Sequence, residues 1–175
     1  MTSAASMLET LTIEQRVHLY WQRRWLNTAR PNQVVKREGW TECGYLAGRG
    51  FGKTRVGAEW LCRAVFEDPS GFDSCVIAPT YQDVKFTCFE GESGILSVMP
   101  PELLVEHNKS DMIIKMRNIA GTVSTIRGFT AEKPERLRGP QHTRGWFDEL
   151  AAWQYDEETW DMLMMGMRLG PRPQV

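Results

Sequence analysis

Residues 47–54, A-G-R-G-F-G-K-T, constrain this chain more than any other stretch. They follow a short apolar run, Cys43 to Leu46, and lead into an amphipathic segment. A strand, a glycine-rich turn and a helix opening on Gly-Lys-Thr form the layout of a phosphate-binding loop. Glycines carry no Cβ, so backbone N–H groups of Gly48, Arg49, Gly50, Phe51 and Gly52 can converge on phosphate oxygens. The helix that starts there adds the positive end of its dipole. Lys53 is placed to reach the β- and γ-phosphates, and the Thr54 hydroxyl to ligate Mg²⁺. Ala47 stands where the strict pattern G-x-x-x-x-G-K-[ST] has its first glycine, and Gly48 and Gly50 supply the flexibility instead.

Binding a nucleotide is not hydrolysing it. Hydrolysis needs Mg²⁺ held in place and a water aligned with the γ-phosphate. Asp148-Glu149 follows the short apolar run Trp146-Phe147. There it would bring two carboxylates to the mouth of a parallel sheet. Asp148 suits the metal, and Glu149 suits the water's proton. A solvated acidic pair is the plainer alternative for so short a lead-in, but the combination with Lys53 and Thr54 favours hydrolysis. An arginine often neutralises the charge that develops on the γ-phosphate. Arg49 lies inside the loop, and Arg138 lies between Arg136 and Arg144 in a polar stretch before the acidic pair. Insertion from a neighbouring subunit and ordinary solvation are both open for these arginines. Gln33, upstream of the loop, either reads an adenine edge, since an amide donates and accepts at once, or is an ordinary loop glutamine.

Around these motifs the pattern alternates helix and strand. Thr12 with Gln15 makes a capping box ahead of a helix whose stripe is Ile13, Val17, Trp21 and Trp25. Either this helix packs on the domain, leaving Arg16, Arg23 and Arg24 solvated, or it faces a partner or DNA. Ala29 to Gln33 breaks it. A helix with a broad apolar face follows Thr54 and stops at Asp68-Pro69-Ser70-Gly71. Ser74 to Ala78 reads as a buried strand, so strand, helix and strand form a βαβ unit and a parallel sheet is expected. Tyr81 to Phe89 reads as helical. Residues 111–116 and 122–126 read as a hairpin or two short adjoining strands, and 128–145 as polar loop. Asp156 opens a last helix with the stripe Trp160, Leu163, Met164 and Met167. Residues 1–10 are expected to fray.

The 175 residues, 42% apolar and 25% charged, suit one soluble domain with a sizeable core. A net charge of −1 gives no general electrostatic signal for nucleic acid, which leaves a local patch open. Cys43, Cys62, Cys75 and Cys88 lack C-x-x-C spacing and sit in apolar-looking segments. Buried free thiols in a reducing compartment are the expectation. The three histidines are isolated, which argues against a zinc site. No signal peptide and no apolar run of spanning length is evident, so a cytosolic protein is expected.

Together these segments resemble the large terminase subunit of tailed double-stranded DNA bacteriophages. A-G-R-G-F-G-K-T-R-V-G-A-E-W at 47–60 is similar to that family's variant phosphate loop, with Arg49 at its arginine position. A-P-T-Y-Q-D-V at 78–84, E-G-E-S-G at 90–94, R-L-R-G-P-Q-H at 136–142 and W-F-D-E-L-A-A-W at 146–153 are similar to further family segments. A-R-P-N-Q at 29–33 sits where the family carries its adenine-contacting Gln. The resemblance implies an α/β fold, a P-loop NTPase of the additional-strand, catalytic-Glu type. Its mainly parallel central sheet would be flanked by helices and incomplete at the C-terminus. A helical segment, 1–28, would precede a truncated ATPase core, 29–175, without the nuclease domain.

The resemblance also implies an ATP-driven motor that threads viral double-stranded DNA into a procapsid. ATP and Mg²⁺ would be its cofactors. The portal protein, the small terminase subunit and further copies in a ring would be its partners, in the host cytoplasm. By the same resemblance Lys53 and Thr54 bind phosphate and Mg²⁺, and Gln33 contacts the base. Arg49 senses the γ-phosphate, Asp148 holds Mg²⁺, Glu149 activates water and Arg138 is the trans-acting finger. An inactive nucleotide- or partner-binding module and a helicase-like ATPase remain the alternatives.

Overall fold

The computed structural model of the chain describes residues 10–36 and 39–175. The expected fraying of 1–9 and the Ile13 side chain of the first stripe lie outside the described residues. Helix α1, Ile13–Thr28, opens on the expected capping box. The Gln15 amide donates to Thr12 Oγ1 at 3.2 Å, and the Thr12 amide donates to Gln15 Oε1 at 3.0 Å. Val17, Trp21 and Trp25 are buried while Arg16, Arg23 and Arg24 are exposed, so the apolar stripe packs on the domain. Helix α2, Lys53–Glu67, lies against it. The Trp21 indole donates to Glu59 Oε2 at 2.6 Å, and Arg55 Nε donates to Glu59 Oε1 at 2.8 Å. A carboxylate only 1% exposed is therefore fully partnered, and it fastens α1 to α2.

Five strands make one sheet: β1 (Ser74–Ala78), β2 (Leu104–Asn108), β3 (Ile113–Arg117), β4 (Val123–Thr130) and β5 (Gly145–Phe147). Their spatial order is β2-β3-β4-β1-β5. Strand β1 runs parallel to both β4 and β5, and the β2-β3-β4 side is antiparallel. Every residue of β1 is buried, and its side chains alternate between the two faces. Val76 and Ala78 join a core with Ala58, Leu61 and Val65 of α2. Cys75 and Ile77 join a second core with Leu137 and Leu163. The first face also holds a π-helical stretch, Asp83–Phe89, and the short helix α3, Ile95–Val98. The second is covered by helix α4, Asp156–Gly166. The sheet is thus flanked by helices on both faces, as expected of an α/β chain.

Several expectations need correction. No strand forms at Cys43 to Leu46, so the expected strand-helix-strand unit lacks its first strand and α2 follows irregular loop. Strand backbone needs a neighbour to satisfy its N–H and C=O groups. Here the Cys43 amide donates to Val175 O and the Val175 amide to Thr41 O, each at 3.0 Å. Gln174 in turn exchanges bonds with Thr143 and Gly145. Among the described residues, the backbone of 41–43 is thus joined to the sheet through Gln174 and Val175, and Leu46, beyond these bonds, is fully exposed. Cys43 is exposed as well, whereas Cys62, Cys75 and Cys88 are buried free thiols. The hairpin is present as β3 and β4, but β4 continues to Thr130, into the stretch read as loop. Strand β2 was not anticipated. Its outer residues Leu104 and Val105 are exposed on the sheet edge, so it lacks the alternating burial that marks a strand in sequence.

Candidate functional site

Parallel strands end together. Because β1 and β5 run in the same direction, their carboxyl ends deliver Thr80 and Asp148 to one edge of the sheet. The Asp148 amide donates to Ile77 O at 2.8 Å, which extends the pairing by one residue past β5. Asp148 is buried, and desolvation, then the neighbouring Glu149 charge, push its carboxyl up to about 6. The Lys53 ammonium acts on it in the opposite direction, so the loop lysine lies within electrostatic reach of Asp148. The Cys88 thiol, from the π-helical stretch, lies 3.9 Å from Asp148 Oδ2, and burial pushes that thiol's own pKa up. Asp83, at the start of the same stretch, accepts from the Thr80 amide at 3.1 Å and from its hydroxyl at 2.7 Å.

The loop itself is shaped by two left-handed glycines, Gly50 (φ 75°) and Gly52 (φ 87°). Gly52 caps α2 without any side-chain hydrogen bond, so among the described residues no capping side chain occupies the first-turn N–H groups. A Cβ at Gly52 would lie 3.0 Å from Gln33 Nε2, which sets how closely the loop and Gln33 pack. Lys53 Nζ donates to Ala47 O at 3.0 Å and to Gly48 O at 3.4 Å, folding the side chain over its own loop. Thr54 is half-buried in the first turn of α2. Arg49 is exposed, and among the described residues its guanidinium makes no bond.

Gln33 sits in a short 3₁₀ turn against the loop. Its Nε2 donates to Phe51 O at 2.7 Å and its Oε1 accepts from the Arg30 amide at 2.8 Å. Arg30 Nη2 also donates to Phe51 O, and its guanidinium lies 5.2 Å from the Phe51 ring centre. Beside them an open groove of about 480 Å³ is lined by Trp25, Arg30, Gln33, Phe51, Gly52 and Arg55. Arg138 lies elsewhere, exposed at the end of a 3₁₀ turn and without a side-chain bond among the described residues. Arg144 is tied down, since its Nη1 donates to Thr143 O, Thr143 Oγ1 and Arg172 O. Being held by the fold, it is poorly suited to reach into another site.

A magnesium ion suits this donor set. Mg²⁺ takes one or two carboxylates and completes its shell with substrate phosphates and waters. Asp148 is a buried carboxylate short of positive charge, with the Thr54 hydroxyl on the neighbouring helix start. Among the described residues no three His, Cys, Asp or Glu side chains converge to hold a metal without substrate.

The Asp148 environment has a stability consequence. A carboxyl whose pKa is higher in the folded than in the unfolded chain favours folding while protonated. It costs stability as pH rises through the window from about 4 to about 6. Asp148→Asn keeps the shape without the charge. At neutral pH it is expected to stabilise the nucleotide-free protein by about 1–2 kcal/mol, or roughly 3–6 °C in Tm. The gain should vanish below about pH 4. Thermal melts across pH check this, and a gain independent of pH would contradict it.

No curated protein matches the chain. The family described as terminase large subunit, T4likevirus-type, N-terminal, matches residues 45–175. Among solved structures, the large terminase ATPase domain of Thermus phage P74-26 superposes with a TM-score of 0.51 at 20% identity, over 71% of this chain and 54% of that one. A large terminase from another thermophilic bacteriophage, solved in complex with ADP, superposes with a TM-score of 0.52 at 14% identity. That match covers 90% of this chain and 36% of that one. At these identities the likeness is one of fold, and the chain spans about half or less of the length of these proteins.

Proposed function

The chain belongs to the T4-like-virus-type terminase large subunit family, in its N-terminal part, and from that premise we propose that it is the ATP-hydrolysing motor portion of a viral DNA-packaging terminase. The observation that carries this reading is the placement of the buried Asp148, with Glu149 next to it, at the carboxyl ends of parallel strands and within electrostatic reach of Lys53. In this reading the uncapped N–H groups that open α2 take the β- and γ-phosphates. Lys53 leaves the carbonyls of Ala47 and Gly48 and pairs with phosphate oxygens. Thr54 and Asp148 would hold Mg²⁺, which would supply positive charge to neutralise that developing on the transferred phosphoryl group. Glu149 accepts the proton of the attacking water. Arg49 reads the γ-phosphate from within the loop, and Gln33 turns from Phe51 toward the adenine edge. Arg138, exposed and with its guanidinium unbonded among the described residues, serves a neighbouring copy's site as the finger.

The same reading assigns the working context. Copies form a ring on the portal protein, the small terminase subunit delivers the viral double-stranded DNA, and hydrolysis moves that DNA into the procapsid in the host cytoplasm. Lys53→Ala is expected to weaken Mg·ATP binding about a hundredfold, the worth of a charge-assisted contact to phosphate. Calorimetric titration of native and substituted chains checks it. Equal affinities would sink the phosphate-loop assignment.

A further inference from the structure

Glu149 adopts φ 48° and ψ 49°, a left-handed conformation that a residue with a Cβ avoids unless it is held there. Its side chain is exposed and, among the described residues, its carboxylate makes no hydrogen bond or ion pair. With no partner to hold it, the backbone fixes only the direction in which this side chain leaves the turn, and so the region its carboxylate can reach. The orientation of the peptide joining Asp148 to Glu149 decides it, and this peptide carries the Asp148 carbonyl. One side chain holds that carbonyl: the Trp153 indole N–H donates to Asp148 O at 3.0 Å in a buried contact. The Ala152 and Trp153 amides close the following turn on Glu149 O and Leu150 O, but neither touches the Asp148–Glu149 peptide. The indole has little freedom to do anything else. It is 6% exposed, belongs to the core on the α4 side of the sheet, and lies with its ring centre 5.7 Å from that of Phe147.

We propose that Trp153 is a positioning residue for hydrolysis: its indole N–H fixes the Asp148–Glu149 peptide and so aims the Glu149 carboxylate out of the turn, while Asp148 stays buried. This rests on the reading of Glu149 as the base. Without the N–H, the peptide is free to rotate, and Glu149 relaxes to negative φ and carries its carboxylate off line. Phosphate binding is unaffected, because the loop and Lys53 sit at the start of α2 and not in the turn that follows β5.

The test replaces Trp153 in the whole chain by 3-benzothienylalanine, which keeps the two fused rings and puts sulfur where the N–H was. Trp153→Phe is run beside it. Two quantities are read: the Glu149 backbone angle by NMR, from its shifts and one-bond Cα–Hα coupling, and ATP turnover. The expected result is loss of the positive φ, with a fall in kcat of about tenfold, the rate equivalent of one lost hydrogen bond, and an unchanged KM for ATP. A benzothienylalanine chain that keeps the positive φ, or that keeps native kcat with the φ lost, overturns the proposal. Glu149→Gln in the same assay separates the two ideas. Native turnover there would defeat the base role itself, whereas the φ measurement judges Trp153 independently of it.

Discussion

Glu149→Gln is expected to bind Mg·ATP as the native chain does and to release phosphate at least about a thousandfold more slowly. The substitution keeps the size of the side chain and removes only its ability to take a proton, and general-base contributions span about 10²–10⁴ in rate. Glu149 is exposed just past β5 and its carboxylate bonds to nothing among the described residues, so losing its charge leaves no buried partner stranded. The fold should melt within a degree or two of native. Relief of the repulsion on Asp148 should move that carboxyl down from its raised value, since Glu149 is the second largest cause of the rise. Binding is measured with a non-hydrolysed analogue and turnover by phosphate release. A variant that turns over ATP at the native rate would remove Glu149 from the mechanism.

Gly57→Ala is expected to destabilise the protein, against the usual gain from placing alanine in a helix. Gly57 lies on the face of α2 that meets β5, and a Cβ there would fall 2.2 Å from Trp146 Nε1 and 2.3 Å from its Cε2. No rotamer of alanine avoids this, and the Trp146 ring is itself buried. Overpacking of this kind costs about 3 kcal/mol, whereas the helical preference of alanine over glycine returns about 1 kcal/mol. The net loss of about 2 kcal/mol corresponds to roughly 4–8 °C in Tm. The effect should not stop at stability. Trp146 stands two residues before Asp148, so displacing it separates the acidic pair from the loop carried by α2, and turnover falls further than binding. Trimming the ring with Trp146→Phe in the same chain should recover part of the loss. A melting temperature equal to native in Gly57→Ala would mean that α2 and β5 do not approach as closely as this.

Much of this was legible in the sequence where the signal is local. The Thr12–Gln15 capping box, the stripe of Val17, Trp21 and Trp25, the β3–β4 hairpin and the strand before Asp148-Glu149 all form as their residues suggest. Each depends on neighbours a few residues away. What was hidden depends on distant partners. Cys43 to Leu46 has strand-like composition but forms no strand, so it stays irregular loop with Cys43 and Leu46 exposed. Strand β2 exists because β3 is there to pair with it, and its exposed face carries no alternation to read. The Tyr81 to Phe89 helix was expected, but its π-helical winding, which brings Cys88 to Asp148, comes from packing that no spacing records. At the site, residue types pointed to Lys53, Thr54, Asp148 and Glu149. Nothing in the sequence marked the Trp153 indole as the group holding the acidic turn, because a tryptophan near a helix start reads first as core.

Phosphate release from Mg·ATP, followed for the native chain and for Glu149→Gln across rising protein concentration, tests the central claim most directly. The native chain should hydrolyse ATP, with turnover per chain increasing as copies associate and Arg138 of one reaches the site of another, while Glu149→Gln stays at the uncatalysed baseline throughout. Native chain that binds ATP yet releases no phosphate at any concentration, or equal release from both proteins, would contradict it.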